Sequence, residues 1–205
     1  MSHQTSTNLV DWSEPVTDAI YGPYIEQPGM TVVAHIPPLG KYIIVYEHGL
    51  ARRSRGGNRF PVNYRLASDP RKFDLAAPKN IEATNWNRTS NRTLEPGSAP
   101  YVVWSPVGGV NGTIVVTDAN HGNLFINRFG GDEKRWEARR VVQPGAYARA
   151  LHVMKDRPDH LVIVGAGPYR NQPKNKIPLS VSVVNLTALL TGDEQTVKRP
   201  MRIRH

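Results

Sequence analysis

Glu47 is the first residue whose position suggests chemistry, because it ends an almost wholly apolar segment, Tyr42–Tyr46. A strand of that composition has too little polarity for an exposed face, so a carboxylate at its end is costly to bury unless it is paired or functional. Glu47 is therefore a candidate catalytic carboxylate. The alternative is a glutamate at the rim of a sheet that forms an ion pair with a nearby arginine.

Tyr147 and Arg149 form a second candidate pair, because residues two positions apart on a strand share one face. Sialidases use a tyrosine as the covalent nucleophile, in contrast to the two carboxylates of most glycosidases. Tyr147 is thus a candidate catalytic residue, and Arg149 a candidate substrate ligand. The alternative is a packed tyrosine whose hydroxyl is hydrogen-bonded by a neighbour. Asp118 is a further candidate carboxylate for substrate binding, although aspartates are common in turns.

The composition excludes several other kinds of site. The 205 residues contain no Cys, which excludes disulfides, thiolate zinc sites and cysteine nucleophiles. The histidines show no metal-binding spacing, so no metal or other cofactor is predicted. No apolar run approaches the roughly 18 residues of a membrane helix, and no membrane partner is predicted. The first residues lack the basic start and apolar centre of a signal peptide.

The charge of the chain is basic, with 26 Lys+Arg against 17 Asp+Glu and a net charge of +9. The basic residues concentrate in the ranges 52–59, 134–140 and 198–205. A polyanion partner is one interpretation, and solvated loops with a basic tail are the other. No nucleic-acid-binding motif is present, so no nucleic-acid partner is predicted.

The elements that must position these residues are predicted to be strands. Short segments of β-branched and aromatic residues, separated by Gly, Pro and Asn, indicate an all-β fold. The predicted strands are Thr31–Ile36, Tyr42–Tyr46, Pro61–Leu66, Tyr101–Trp104, Thr113–Thr117, Leu124–Asn127, Ala148–Val153, Leu161–Val164 and Ser180–Val184. Only Val184–Leu190 favours a short helical turn.

The strands recur as a unit in which a turn joins one strand to a more apolar strand. The three units are Thr31–Ile36 with Tyr42–Glu47, Tyr101–Trp104 with Thr113–Asp118, and Tyr147–Met154 with Leu161–Gly165. A repeat of about 40–50 residues is typical of four-stranded propeller blades. Three clusters in which a turn precedes an aromatic residue resemble the degenerate Asp-box turns of sialidase-type blades: Ser6–Trp12, Ser68–Phe73 and Asp132–Trp136.

The blade count sets the predicted domain organisation. Three hairpins and an opening segment make about three and a half blades, which cannot close without leaving sheet faces and strand edges bare. We therefore expect residues 1–190 to be a partial β-propeller catalytic domain, the C-terminal part of a larger domain. Residues 191–205 are expected to form a basic tail.

A propeller places the start of each innermost strand and the end of the next strand around one pit. The strand assignment therefore predicts that the following residues converge: Gln27, Met30, Glu47, Tyr101, Asp118, Tyr147 and Arg149. Gln27 and Met30 are taken as substrate ligands. Tyr64 and Tyr101 could stack on the face of a sugar, although aromatic residues of β-proteins more often fill the core.

Several segments resemble glycoside hydrolase family 93. They are His3–Ser6, Tyr21–Tyr24, Pro28–Ala34, Gly40–Glu47, Phe60–Arg65, Pro100–Pro106, Gly112–Val116 and Tyr147–Leu151. They fall in order and extend over the chain to about Gly167. The resemblance implies a six-bladed β-propeller of the sialidase-like clan. It also implies an exo-acting α-L-arabinanase that releases arabinobiose from linear 1,5-linked arabinan with retention of configuration.

The resemblance also implies roles for particular residues. One catalytic glutamate of the family lies in the Tyr-Glu pair that ends a strand, which is Glu47 here, in an acid/base role. The other lies in a Trp-Glu-Pro-Phe-like segment upstream of the His-Gln-Thr motif. This sequence begins at that motif, so we expect it to lack the partner carboxylate and to be inactive alone. Gln27 and His48 depart from the family pattern, which bears on substrate identity.

The same resemblance implies a monomer that binds an arabinan polysaccharide or oligosaccharide, extracellular in its full-length form. A non-catalytic carbohydrate-binding or interaction propeller remains the alternative.

Overall fold

The computed structural model describes residues 2–17, 28–48, 62–87, 92–94, 96–97, 99–117, 123–140, 147–166, 179–192 and 201–202. The strands are β1 (Ser2–His3), β2 (Val16–Thr17), β3 (Pro28–Ile36), β4 (Lys41–His48), β5 (Val62–Ala67), β6 (Lys79–Asn80), β7 (Ala83–Asn87), β8 (Arg92–Leu94), β9 (Val102–Ser105), β10 (Thr113–Thr117), β11 (Asn123–Asn127), β12 (Trp136–Arg140), β13 (Tyr147–Val153), β14 (His160–Ala166), β15 (Leu179–Asn185) and β16 (Met201–Arg202). The described residues add 3₁₀ turns at Pro37–Leu39 and Phe73–Leu75 and one α-helix, α1 (Leu186–Thr191). The predicted all-β class is confirmed.

Three four-stranded antiparallel units follow one another along the described chain. The first blade is β3-β4-β5-β6, the second is β9-β10-β11-β12 and the third is β13-β14-β15-β16. The first two strands of each blade are the three hairpins that the sequence predicts. β1 and β2 pair separately as a two-stranded sheet. The outermost strand of the third blade, Met201–Arg202, lies within the range expected to be a tail.

The innermost strands of the blades lie side by side, since β9 contacts both β3 and β13. β10 shows why the middle blade is so apolar: all five of its residues are buried. Ile114 and Val116 pack towards the first blade, whereas Val115 packs towards the third. A strand covered on both faces needs apolar side chains at every position, and this explains its β-branched composition. The described residues thus form adjacent four-stranded blades, as in a partial β-propeller.

The chain also ties neighbouring blades together at their outer edges. β7 pairs in parallel with β12 through Ala83 and Trp136, and β8 extends the sheet beyond β7. The segment that leaves the first blade therefore adds two strands to the second. The sequence pattern predicts no strand at β7 or β8.

The three turns that precede aromatic residues share one local device. A side-chain oxygen of Asn8, Asp69 or Asp132 accepts a hydrogen bond from the backbone N–H two residues later. The aromatic residues that follow differ in burial: Phe73 and Trp136 are 1% exposed, whereas Trp12 is 54% exposed. The last two turns therefore anchor outer strands to the core.

The short helix α1 agrees with the helical turn predicted near Val184–Leu190. The side chain of Asn185 accepts a hydrogen bond from the N–H of Ala188 and caps the N-terminus. Gly192, with a φ of 86°, ends the helix in the left-handed conformation. No helix among the described residues is long and apolar enough to cross a membrane.

Candidate functional site

Glu47 lies at the end of β4, opposite Val62 of β5, and is half-buried. The neighbouring strand β3 is irregular between Pro28 and Thr31, so that its first residues depart from regular pairing with β4. This irregularity brings Gly29 against the Glu47 side chain. A Cβ built on Gly29 would stand 3.1 Å from the Glu47 Cβ and would collide with Oε2. Only a residue without a side chain leaves room for the carboxylate there.

The second contact of Glu47 comes from the segment that leads into the second blade. The backbone N–H of Ala99 donates a hydrogen bond to Oε1 of Glu47. Ala99 is fully buried and has a φ of 43°, in the left-handed region that residues with a Cβ seldom adopt. The carboxylate of the first blade is therefore held by the main chain of the second.

Tyr101 lies two residues further on and fastens the same segment to β10. Its N–H donates to Oγ1 of Thr117 at 2.9 Å, and the N–H of Thr117 donates to the Tyr101 carbonyl at 3.0 Å. Thr117 is 1% exposed, and Tyr101 is half-buried. The segment from Ala99 to Tyr101 thus connects the end of β4 to the end of β10.

The structure places the other predicted residues of the first blade in different surroundings. Met30 follows Gly29 at the start of β3 and is 40% exposed, so its side chain is accessible near Glu47. Tyr64 is fully buried in the core between the first two blades, and its hydroxyl donates to the Gly131 carbonyl at 2.7 Å. Tyr64 therefore fills the core and has no surface to offer a sugar. Gln27 lies outside the described residues.

The third blade brings Tyr147 to the start of β13, opposite Ala166 of β14. Arg149 is an extra residue on β13, because Ala148 and Ala150 oppose successive residues of β14. A bulge of this kind interrupts the two-residue alternation on which the predicted shared face depends. The side chains of Tyr147 and Arg149 lie outside the described part of the molecule, as does Asp118.

Three residues of the site were not assigned a role from the sequence: Gly29, Ala99 and Thr117. Ala99 acts through its backbone N–H, which any residue except proline carries, so the residue type gives no signal. Thr117 lies in a strand of β-branched residues, where a threonine is expected from strand propensity alone and so does not indicate a role in the site.

Among the described residues, several arginines in and near the range 134–140 lie against carboxylates. Glu137 lies between two arginines, with Arg139 at 2.7 Å and Arg128 at 3.2 Å. Arg135 lies 4.5 Å from the ring centre of Phe129 and 3.9 Å from a carboxylate oxygen of Asp132. Pairs this exposed contribute little to stability, and they reduce the positive field of the range 134–140. This arrangement favours solvated surface charges over a polyanion site in that range, although most of the range lies on strand β12 and not in a loop.

A polar cavity of about 380 Å³ lies at the outer edge, lined by Pro78, Lys79, Asn80, Glu82, Glu133 and Lys134. It shares no residue with the surroundings of Glu47. Among the described residues, no group of three His, Asp or Glu side chains is arranged to hold a metal ion.

The chain is similar over most of its length to solved structures of arabinose-acting hydrolases. It is 40% identical to the GH93 α-L-arabinofuranosidase of Fusarium graminearum in complex with arabinobiose, with a TM-score of 0.80 over 92% of this chain and 51% of that chain. The resemblance to glycoside hydrolase family 93 is confirmed. The α-L-arabinanase of Penicillium chrysogenum, complexed with arabinobiose, is 36% identical with a TM-score of 0.72, over 92% and 50% of the two chains.

A third similar structure is a glutamate-to-alanine mutant of the α-L-arabinofuranosidase of Fusarium graminearum, in complex with an iminosugar inhibitor. It is 39% identical, with a TM-score of 0.79 over 92% of this chain and 51% of that chain. The chain thus spans about half the length of the family members that it matches. The sequence matches no family model and no curated protein.

Proposed function

We propose that Glu47 is the acid/base carboxylate of a retaining glycoside hydrolase that acts on α-1,5-linked L-arabinan. The observation that carries the proposal is the position of Glu47 at the end of β4, half-buried and held by the backbone of the next blade. The 36% and 40% identity to an arabinanase and an arabinofuranosidase supports the substrate class.

In a retaining reaction, Glu47 first donates its proton to the glycosidic oxygen of the leaving group while a second group attacks the anomeric carbon. A covalent glycosyl-enzyme results. Glu47, now a carboxylate, then takes a proton from water, whose oxygen forms the new bond to the anomeric carbon and releases the nucleophile. The second carboxyl group must lie about 5–5.5 Å from the first in such enzymes.

The nucleophile of this reaction must be a second group besides Glu47. The sequence contains no Trp-Glu-Pro-Phe segment, so we infer that the partner carboxylate comes from outside these 205 residues. Tyr147 at the start of β13 remains the candidate within the chain. Gln27, Met30, Tyr101, Asp118 and Arg149 are proposed as substrate ligands.

We further propose that the enzyme removes arabinobiose from the ends of arabinan chains. Two of the similar structures hold arabinobiose, which is the product expected of such an enzyme. A polysaccharide such as arabinan does not cross cell membranes, so the full-length protein is proposed to be extracellular. It is also proposed to be a monomer.

The test is a comparison of two glutamine variants in the full-length protein. Glu47→Gln should lower kcat/KM on debranched arabinan by about 10²–10⁴-fold, the usual contribution of an acid/base group. Glu133→Gln changes an exposed glutamate of the outer edge and should leave the rate unchanged. Hydrolysis by Glu47→Gln at the normal rate would show that the catalytic assignment is wrong.

A non-catalytic carbohydrate-binding propeller is the second candidate, because the family's other carboxylate motif is absent from the sequence. Calorimetry with arabinobiose and a hydrolysis screen distinguish the two functions. Binding without hydrolysis, in the full-length protein as well as in this chain, favours the binding module.

A further inference from the structure

We propose that Gly29 and the N–H of Ala99 are positioning elements that fix the Glu47 carboxylate from two sides. We call this pair the Glu47 seat. The inference rests on the proposed function only for its catalytic consequence. The seat itself is a geometric claim about the described residues.

Gly29 forms one side of the seat by having no side chain. Its Cα lies so close to the Glu47 carboxyl group that an added methyl would overlap Oε2 and approach the carboxyl carbon, Cδ, to 3.3 Å. A methyl group there must therefore move the carboxylate. Gly40, at the opposite end of the same hairpin, has no atom within 4 Å of an added Cβ, so the crowding is specific to the Glu47 end.

Ala99 forms the other side by directing its N–H at Oε1. The left-handed φ of 43° is unfavourable for alanine and is maintained only because the neighbouring structure fixes it. Two features hold the segment: Ala99 is fully buried, and Tyr101 is bound to Thr117 by two hydrogen bonds. The donor is thus placed before substrate arrives.

The consequence for catalysis is a fixed proton-transfer geometry. An acid/base group must lie within hydrogen-bond reach of the glycosidic oxygen, and a displacement of about 1 Å can cost about 10²-fold in rate. The seat gives the two carboxylate oxygens different surroundings, since Oε1 accepts from Ala99 and Oε2 lies over Gly29.

The geometric claim can be tested without catalysis. Ser98-Ala99 is the only Ser-Ala pair in the sequence, so protein labelled with ¹³C-carbonyl serine and ¹⁵N-alanine gives one selective amide signal, from Ala99. Gly29→Ala should move this signal and speed the hydrogen exchange of the amide, because the acceptor is displaced. Gly40→Ala, in the same hairpin, strains a left-handed turn residue with a φ of 55° but leaves the Glu47 end untouched, so it should do neither. An unmoved Ala99 signal in Gly29→Ala would overturn the proposal.

The catalytic consequence is tested by kinetics on the full-length protein. Gly29→Ala should lower kcat on arabinan by about 10²-fold with KM changed less than about twofold, because the substrate ligands remain. The loss should be smaller for aryl arabinosides with acidic leaving groups, which need less protonation. A merely structural defect would not depend on the leaving group.

The two proposals fail in different ways. If Glu47→Gln abolishes hydrolysis but Gly29→Ala keeps the wild-type kcat, the seat is wrong and the proposed function stands. If Glu47→Gln retains full activity, the proposed function is wrong, and the Ala99 signal alone decides the seat.

Discussion

Replacing Tyr64 by phenylalanine should destabilise the fold without changing the affinity for sugar. The Tyr64 hydroxyl is fully buried, and it donates at 2.7 Å to the carbonyl of Gly131, in the turn before β12. The ring also meets Trp136 edge to face at 5.5 Å. Phenylalanine keeps the ring contact with Trp136 but removes the hydroxyl, so the Gly131 carbonyl loses this hydrogen-bond donor.

The expected magnitude follows from burial. Removing one partner of a buried hydrogen bond costs about 1–3 kcal/mol at neutral pH. Burial also raises the pKa of Tyr64 to about 12, from 10.0. Because this pKa is raised on folding, the stability that the neutral hydroxyl contributes is present below pH 10 and is lost as the pH rises to 12. At pH 11 the wild type loses about 1.4 kcal/mol that Tyr64→Phe does not lose.

Urea unfolding at pH 7 and pH 11 measures both effects. Tyr42→Phe is the matched control, because its half-buried ring stacks on His35 at 4.5 Å and keeps that contact as phenylalanine. Its cost should stay within about 0.5 kcal/mol. An unfolding free energy of Tyr64→Phe equal to that of the wild type, or a gap that stays constant from pH 7 to pH 11, would refute the reasoning. A raised KM of Tyr64→Phe for arabinan would indicate that Tyr64 binds substrate after all.

Three further outcomes are expected. Thr117→Val should cost about 1–3 kcal/mol in urea unfolding, because the buried N–H of Tyr101 loses its acceptor; an unchanged midpoint would contradict this. Asn127→Ala should cost at least about 2 kcal/mol, since the fully buried amide group makes three hydrogen bonds to its turn. Asn80→Ala, on an exposed residue, is its control. Hydrogen bonds from Arg71 lower the pKa of Asp69 to about 2. In Arg71→Ala, the pKa of Asp69 measured by carboxyl NMR titration should therefore rise towards 3.8. A pKa that stays near 2 would contradict this cause.

The parts of the fold that the sequence predicts are those with a local signal. The three inner hairpins follow from β-branched strands joined by Gly- and Pro-rich turns, and each appears at the expected place. β7 was missed because its pairing with β12 is not local, whereas β8 joins β7 in a local antiparallel pair whose residues carry no clear strand pattern. β7 joins β12 in parallel more than fifty residues later in the chain, and nothing in Ala83–Asn87 encodes that partner.

The candidate site divides in the same way. Glu47 stands out because a carboxylate ends an apolar strand, which is visible in the residue types. Ala99 contributes only a backbone N–H in an unusual conformation, which composition cannot reveal. The bulge at Arg149 shows a further limit, since strand alternation predicts shared faces only where pairing is regular. Tyr64 shows that an aromatic residue on a strand does not disclose which face of the sheet it occupies.

Rescue of a Glu47→Ala variant by azide tests the central claim most directly. With an aryl arabinoside that needs little protonation, the variant should still form the glycosyl-enzyme, and removal of the base should slow its hydrolysis. Azide should then enter the space left by the carboxylate, accelerate turnover, and give an arabinosyl azide with the anomeric configuration of the substrate. A rate that azide does not change, or an azide product of inverted configuration, would contradict the assignment of Glu47 as the acid/base group.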